Sequence, residues 1–197
     1  MLELGSATEP FDFCTLEANG GFAWWYLDLV DNSGNGLVLI WFFGLPFLPA
    51  QSETAVRIPA RQRPGICVAV YRNHGQVFYL LQEFAEDAVE RSSDMSRICI
   101  GKSRFCITAD SGTVSLTADI ETEVPGSDVP LTGTIAASGP LRRDGETGSV
   151  GGEHRWCPIS AVARGSASLS LGDRPVSDFQ GRAYLDRHSS TVPLDRL

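Results

Sequence analysis

The sequence lacks most of the features that identify common classes of enzyme and membrane protein. It has no GxGxxG, Walker A, HExxH or GxSxG motif, so the scaffolds for dinucleotides, phosphates, zinc proteases and the hydrolase nucleophile elbow are missing. It has one lysine and a formal net charge of −8 at pH 7, which argues against nucleic acid or an anionic lipid surface as a partner. No basic segment followed by an apolar one begins the chain, so we expect a cytoplasmic protein, at most peripheral to the inner membrane.

Long apolar runs, helical periodicity and metal-ligand spacings are also scarce. The uncharged run 34–51 contains Gly44, Pro46 and Pro49, and it therefore predicts a strand followed by an apolar loop, not a spanning helix. Five cysteines are an odd number without CxxC spacing, which favours reduced, mostly buried thiols. The three histidines lie far apart without accompanying acid or cysteine spacing, so no metal site is predicted.

Short stretches rich in β-branched and aromatic residues are abundant, and turn-forming residues bound each of them, as in antiparallel meanders. The clearest hairpin turns are Asn32–Gly36 and Asn73–Gly75, whose residues tolerate positive φ angles. One short helix is predicted at Glu83–Arg91, and exposed loops at Thr122–Val129 and Gly139–Gly152. The predicted strands are Ala23–Asp31, Leu37–Phe43, Ile66–Arg72, Val77–Phe84, Ser96–Ile100, Arg104–Ala109, Thr113–Thr122, Leu131–Ala137, Ala161–Leu171 and Phe179–Arg187.

Length and composition together predict one domain over residues 1–197. The 197 residues, 43% of them hydrophobic, suffice for a single all-β barrel or sandwich with a substantial core. Many antiparallel strands and few helices favour an all-β, antiparallel barrel or sandwich, and a barrel of about eight strands can enclose one small ligand.

Two predicted strands, and the segment Gly152–Trp156 in extended form, each place aromatic and titratable side chains on a common face. Side chains alternate between the two faces of an extended strand, so Tyr184 and Asp186 point the same way as Arg182. A simple structural interpretation is that Asp186 is an exposed residue paired with Arg182 or Arg187 and contributes little to stability. The same alternation groups His154 with Trp156, and Trp24 and Tyr26 with Asp28.

Four ordered segments favour a functional interpretation. They are Trp24–Asp28, Gly36–Gly44, His154–Ile159 and Phe179–His188, the last followed by Pro193-Leu194, and together they resemble the carotenoid 1,2-hydratase (hydroxyneurosporene synthase) family. The resemblance implies a lipocalin-like, calycin-type double β-barrel that adds water to the terminal 1,2 double bond of an acyclic carotenoid without a cofactor. The partner would be an apolar polyene or isoprenoid. Family members continue beyond Leu197, so three interpretations stay open: a fragment, an isolated N-terminal domain, or a natural half-length relative.

The resemblance also implies catalytic roles for Trp156, Tyr184 and Asp186. Burial disfavours the charged form of a carboxyl group, so Asp186 would be the acid that protonates the alkene. Trp156 would stabilise the resulting tertiary cation through its indole face, which contributes roughly 2 kcal/mol when the cation is desolvated. Tyr184 would hold the acid or the attacking water by a hydrogen bond.

Substrate binding is expected at the other aromatic and histidine positions of these segments. His188 is also a candidate for the final base, and it departs, like Ser190, from the Asn and Gly that the family usually carries there. The candidate binding residues are Trp24, Tyr26, Trp41, His154 and His188.

Two other functions stay open at the level of the sequence. A terpenoid or polyketide cyclase could use the same acid and aromatic wall to close a ring, and a lipocalin-like domain could bind a lipophile without changing it. Hydration adds the mass of one water to the ligand, whereas cyclisation and simple binding add none.

Overall fold

The computed structural model describes residues 2–4, 7–44, 57–142 and 154–194, and most of these residues lie in β-strands. An α-helix, α1, spans Cys14–Glu17, and 3-10 turns lie at Ala60–Gln62 and Glu86–Ala88. The strands are β1 Leu2–Leu4, β2 Phe22–Val30, β3 Gly36–Phe43, β4 Pro64–Arg72, β5 Gly75–Glu83, β6 Val89–Arg91, β7 Arg97–Ile100, β8 Ser103–Asp110, β9 Thr113–Thr122, β10 Leu131–Pro140, β11 His154–Leu171 and β12 Arg174–Ser190.

The twelve strands of the described segments belong to one sheet. Its order is β5-β4-β3-β2-β12-β11-β10-β9-β8-β7-β6, with antiparallel neighbours throughout, and β1 pairs with β11 in parallel. The all-β, antiparallel fold predicted from the sequence is confirmed. The order places β12, from the end of the chain, between β2 and β11.

Both predicted hairpin turns are confirmed, but the predicted helix Glu83–Arg91 is wrong. Asn73 and His74 join β4 to β5 with φ angles of 49° and 64°. In the segment predicted as helix, β5 ends at Glu83, a 3-10 turn follows, and β6 pairs Val89 with Ile100. This mostly polar segment has too little apolar surface to stabilise a helix, so strand pairing prevails. The four residues of α1 are too few to show a helical period in the sequence.

The predicted loops are described only in part. The segment after β9 is a loop, as predicted, whereas β10 extends to Pro140 into the second predicted loop. Residues 143–153 and 45–56, which include most of the predicted apolar loop, lie outside the described residues. No helix in the described segments is long and apolar enough to cross a membrane. All five cysteines are free; two are buried, two are partly buried and Cys14 is exposed.

One face of the curled sheet encloses the main hydrophobic core. The curl brings Trp41 of β3 against Phe105 of β8, with ring centroids 5.6 Å apart. It also brings Thr122 of β9 within 2.6 Å of Gln82 of β5, where the hydroxyl donates to the amide oxygen. Side chains from both halves of the sheet fill the space between them. The opposite, outer face of the sheet is therefore the one available for a site.

Strand β12 contributes to both faces. Ala183 and Leu185 are 4% and 0% exposed and belong to the main core. Tyr184 and Asp186 alternate with them along the strand and therefore point to the outer face. Gly181 allows β12 and β2 to approach closely, because a Cβ there would lie 2.1 Å from the Val30 carbonyl oxygen.

Replacement of Leu185 by Ala should lower the free energy of unfolding by about 2–5 kcal/mol, because it leaves a cavity in the main core. Chemical denaturation followed by tryptophan fluorescence measures this loss. The control is Val162→Ala on β11, since Val162 is 71% exposed and its loss should change stability by no more than about 0.5 kcal/mol. Equal effects of the two substitutions would contradict this assignment of the faces.

Candidate active site

The candidate site lies on the outer face, where three strands meet in register. Asp186 of β12 is opposite Tyr26 of β2, and His188 is opposite Trp24. On the other side of β12, His188 is opposite Trp156 of β11. A β-bulge follows directly in β11, where a proline pairs with Asp186, and bulges of this kind redirect side chains next to functional sites.

Asp186 is the buried centre of this cluster, with 6% of its surface exposed. Its Oδ2 accepts hydrogen bonds from the Tyr184 hydroxyl at 2.9 Å and from the Trp156 Nε1 at 3.0 Å. The His188 Nε2 lies 3.3 Å from the same oxygen. Oδ1 is buried and has no hydrogen-bond partner among the residues that the structure describes. The two oxygens of one carboxyl group therefore have very different surroundings.

Two histidines continue the polar network away from the carboxyl group. The His154 Nε2 lies 2.9 Å from the His188 Nδ1, so the two imidazole rings and Asp186 form a chain. Burial, followed by the electrostatic interaction with His188, lowers the pKa of His154 to about 4. His154 is therefore neutral over the physiological range and shares a hydrogen bond with His188.

Aromatic rings surround the polar chain. The ring of His188 stacks on Trp24 at a centroid distance of 4.6 Å and lies roughly parallel to Trp156 at 6.1 Å. Phe22 stacks on Trp24 at 5.0 Å and extends the apolar wall. These residues exclude water from the carboxyl group, which strengthens its electrostatic interactions.

A second phenol–carboxyl pair lies next to the first. Tyr26 donates to the Oδ2 of Asp28 over 3.3 Å, and Asp28 is opposite Tyr184 across the strand pair. Burial raises the pKa of Asp28, and it also raises the pKa values of Tyr26 and Tyr184. Both phenols are therefore protonated donors at neutral pH. Strand alternation placed Asp28 on this face, but neither motif nor spacing in the sequence assigned it to the site.

The structure brings together seven of the eight residues predicted for the site. Trp41 is separate: it is fully buried in the main core on the opposite face of the sheet, although its neighbours in the sequence are near the site. The competing prediction, an exposed Asp186 paired with Arg182 or Arg187, is wrong: Asp186 is 6% exposed, and no ion pair among the described residues joins it to either arginine. The seven residues are Trp24, Tyr26, His154, Trp156, Tyr184, Asp186 and His188.

Comparison with curated proteins supports the same interpretation. The chain is 30% identical over 185 residues to an acyclic carotenoid 1,2-hydratase of Rubrivivax gelatinosus, a match that covers 90% of this chain and 43% of that protein. The resemblance to the carotenoid 1,2-hydratase family is confirmed. A second protein of that name, from Thiocapsa roseopersicina, is 26% identical over 182 residues, with coverage of 89% and 42%. A hydroxyneurosporene dehydrogenase of Chlorobaculum tepidum is 25% identical, with coverage of 91% and 52%.

The chain spans about half the length of the curated relatives it matches. No protein-family model matches it. Among solved structures, an AttH-like protein of Nitrosomonas europaea superimposes with a TM-score of 0.56 at 17% identity. The match covers 95% of this chain and 58% of that protein. CghA, solved with Sch210972, superimposes with a TM-score of 0.52 at 12% identity, with coverage of 95% and 52%. These likenesses support the predicted lipocalin-like fold.

The lowered pKa of His154 should reduce the free energy of unfolding of the protein in acid. This pKa is about 4 in the folded protein against 6.5 ordinarily, so between these values the unfolded chain binds more protons. This contribution to stability is complete above pH 6.5 and is lost as the pH falls towards 4. Melting temperatures of the wild type and His154→Gln, measured across this range, should differ in slope, whereas His74→Asn, in an exposed turn, should follow the wild type. A midpoint near 6.5 for His154 in an NMR titration would contradict the assignment.

Proposed function

We propose that this chain adds water to the terminal 1,2 double bond of an acyclic carotenoid or similar isoprenoid, with Asp186 as the acid. The relatives' names support a hydratase-like role, and the chemistry of the outer face supports the mechanism. Addition of water to an alkene transfers no net electrons, so the proposed reaction calls for no redox cofactor. It requires an acid, a means of stabilising a cation, and a base for the proton that water releases.

The observation that carries the proposal is the contrast between the two oxygens of Asp186. Oδ2 accepts from a phenol and an indole, while Oδ1 is buried without a partner. In the proposed mechanism Asp186 carries its acidic proton on Oδ1, since Oδ2 is engaged by the two donors. The proton on Oδ1 is then free of internal hydrogen bonds and can be delivered to a substrate carbon.

The aromatic walls supply the second requirement. Proton transfer to the less substituted alkene carbon leaves a tertiary cation next to it, and indole faces attract desolvated cations by about 2 kcal/mol. Trp156 is adjacent to the acid through its hydrogen bond to Oδ2. This closeness to the acid supports the proposed role of the indole in stabilising the cation.

An apolar row leads away from the acid and matches the shape of a linear isoprenoid. Neighbouring strands lie about 4.8 Å apart, so five aligned positions span about 19 Å. Ile40 and Leu81 are half-buried and present apolar surface along this line. We propose that the substrate chain lies across the strands with its reactive end at the acid. In register, the row is Asp186, Tyr26, Ile40, Cys67 and Leu81.

Incubation of the chain with lycopene or neurosporene should give a product heavier by one water, detected by mass spectrometry. Asp186→Asn should lower kcat by about 10²–10⁴-fold, the usual contribution of a general acid. The matched control is Asp178→Asn, because Asp178 is an exposed aspartate on the same strand. A product of unchanged mass but altered retention would indicate cyclisation, and unchanged ligand would indicate a binding protein.

Two substitutions of Trp156 should separate its two roles. Trp156→Phe keeps an aromatic face but removes the hydrogen bond to Asp186, whereas Trp156→Leu removes both. A lost cation–π interaction of about 2 kcal/mol corresponds to about 30-fold in kcat, so the Leu variant should be slower than the Phe variant by about this factor. Steady-state kinetics with lycopene measure the ratio. Equal rates for the two variants would exclude the indole face as the stabilising group.

A further inference from the structure

The tripeptide Tyr-Leu-Asp occurs twice in the sequence, and the fold places the two copies side by side. Tyr26 and Asp28 lie on β2, and Tyr184 and Asp186 lie on β12. Antiparallel register puts each tyrosine opposite the other copy's aspartate, so the four side chains alternate on one face. Within each copy the phenol donates to Oδ2 of its own aspartate, at 3.3 Å and 2.9 Å. The site therefore contains two carboxyl groups with the same local partner.

Hydration needs one group that gives a proton and one that takes a proton. We propose that Asp28 is the base that accepts the proton from the attacking water, while Asp186 is the acid. This inference rests on the proposed function and adds to it a second catalytic carboxyl group. It also assigns a catalytic role to Asp28, which strand alternation only placed on the same face as Tyr26.

Atoms and charge are conserved in each step of the proposed reaction. The O–H bond of Asp186 breaks, and its proton forms a C–H bond with the less substituted alkene carbon. The oxygen of a water molecule bonds to the adjacent cationic carbon, and one of its protons moves to the carboxylate of Asp28. Asp28 is then neutral and Asp186 is ionised. Transfer of one proton from Asp28 to Asp186, through solvent or the phenols, restores the starting state.

The surroundings of the two carboxyl groups suit opposite roles. Asp186 is 6% exposed, whereas Asp28 is about half-buried, so Asp28 is the more accessible of the two carboxyl groups to a water molecule. Burial raises the pKa of Asp28, and the charge left on Asp186 after it has released its proton raises it further, which makes Asp28 a stronger base than an exposed aspartate. A pair of carboxyl groups in unequal environments is a common basis for dividing acid and base roles.

The other groups around Asp28 leave it free to act as the base. The Tyr26 hydroxyl donates to Oδ2 of Asp28, whereas the Tyr184 hydroxyl donates to Asp186, so the Asp28 carboxylate keeps acceptor positions for a proton from water. Val38, opposite Asp28 on β3, does not titrate, and Tyr71 on β4 interacts only with Tyr26 among the site's phenols.

His188 is less suited to this role. Its Nδ1 faces His154 at 2.9 Å and its Nε2 faces Asp186 at 3.3 Å, so both ring nitrogens are already engaged. A base for the attacking water needs an unoccupied acceptor.

The test compares Asp28→Asn, Asp28→Glu and the surface control Asp178→Asn in the full chain, with lycopene as the substrate. Asp28→Asn should lower kcat by about 10²–10⁴-fold with KM unchanged. In the wild type, kcat should fall as the pH drops through the pKa of Asp28, because protonation removes the base. The Asn variant should lack this decline, and Asp28→Glu should restore part of the rate together with the pH dependence.

Chemical rescue gives a second measurement if Asp28→Asn alters folding. Addition of formate to Asp28→Ala should restore turnover, because a small carboxylate can occupy the space and accept the proton. Folding of each variant is checked by circular dichroism and thermal melting.

The outcomes separate this inference from the proposed function. If Asp28→Asn keeps the wild-type kcat and pH profile while Asp186→Asn is inactive, Asp28 is not the base and the hydratase proposal stands. If folded Asp28→Ala is inactive but formate and Asp28→Glu restore nothing, the role of Asp28 is structural. A wild type that adds no water to lycopene or neurosporene overturns both proposals.

Discussion

The position of β12 between β2 and β11 is the constraint on which the rest of the molecule depends. Alternate residues of this strand belong to different environments, with Leu185 in the main core and Asp186 on the outer face. A shift of one residue would exchange these environments, exposing a leucine at a cost of about 1.5–3 kcal/mol and burying a carboxylate in the core at a higher cost. Packing of the core therefore determines which residues meet at the site.

The site itself conflicts with the stability of the fold. A buried carboxyl group is unfavourable unless it is hydrogen-bonded, and hydrogen bonds to a charged group contribute about 1.5–3 kcal/mol each. Asp186 has donors on one oxygen, from Tyr184 and Trp156, and none from the described residues on the other. Local conflicts of this kind are typical of functional sites, where reactivity and stability make different demands. The stacked rings of Trp24 and His188 offset part of the cost.

The strands were largely predictable because their signal is local. Alternation and turn residues located most of them to within a few positions, and the Asn73–Gly75 turn has the positive φ angles that its residues favour. The prediction was wrong at Glu83–Arg91, where pairing of Val89 with a distant strand overrides local composition. The prediction also grouped Trp41 with the site, because a sequence motif does not show which face of a strand packs against the core.

The sequence by itself determined that the chain is a β protein and that Tyr184 and Asp186 share a face, since both follow from a repeat of two residues along one strand. Only the tertiary structure decided that Asp28 lies beside Tyr184 and that His154 reaches His188. These neighbours come from strands distant in the sequence, and their alignment depends on the register of β12 against its partners. Register is set by the packing of the whole sheet, and no local pattern encodes it.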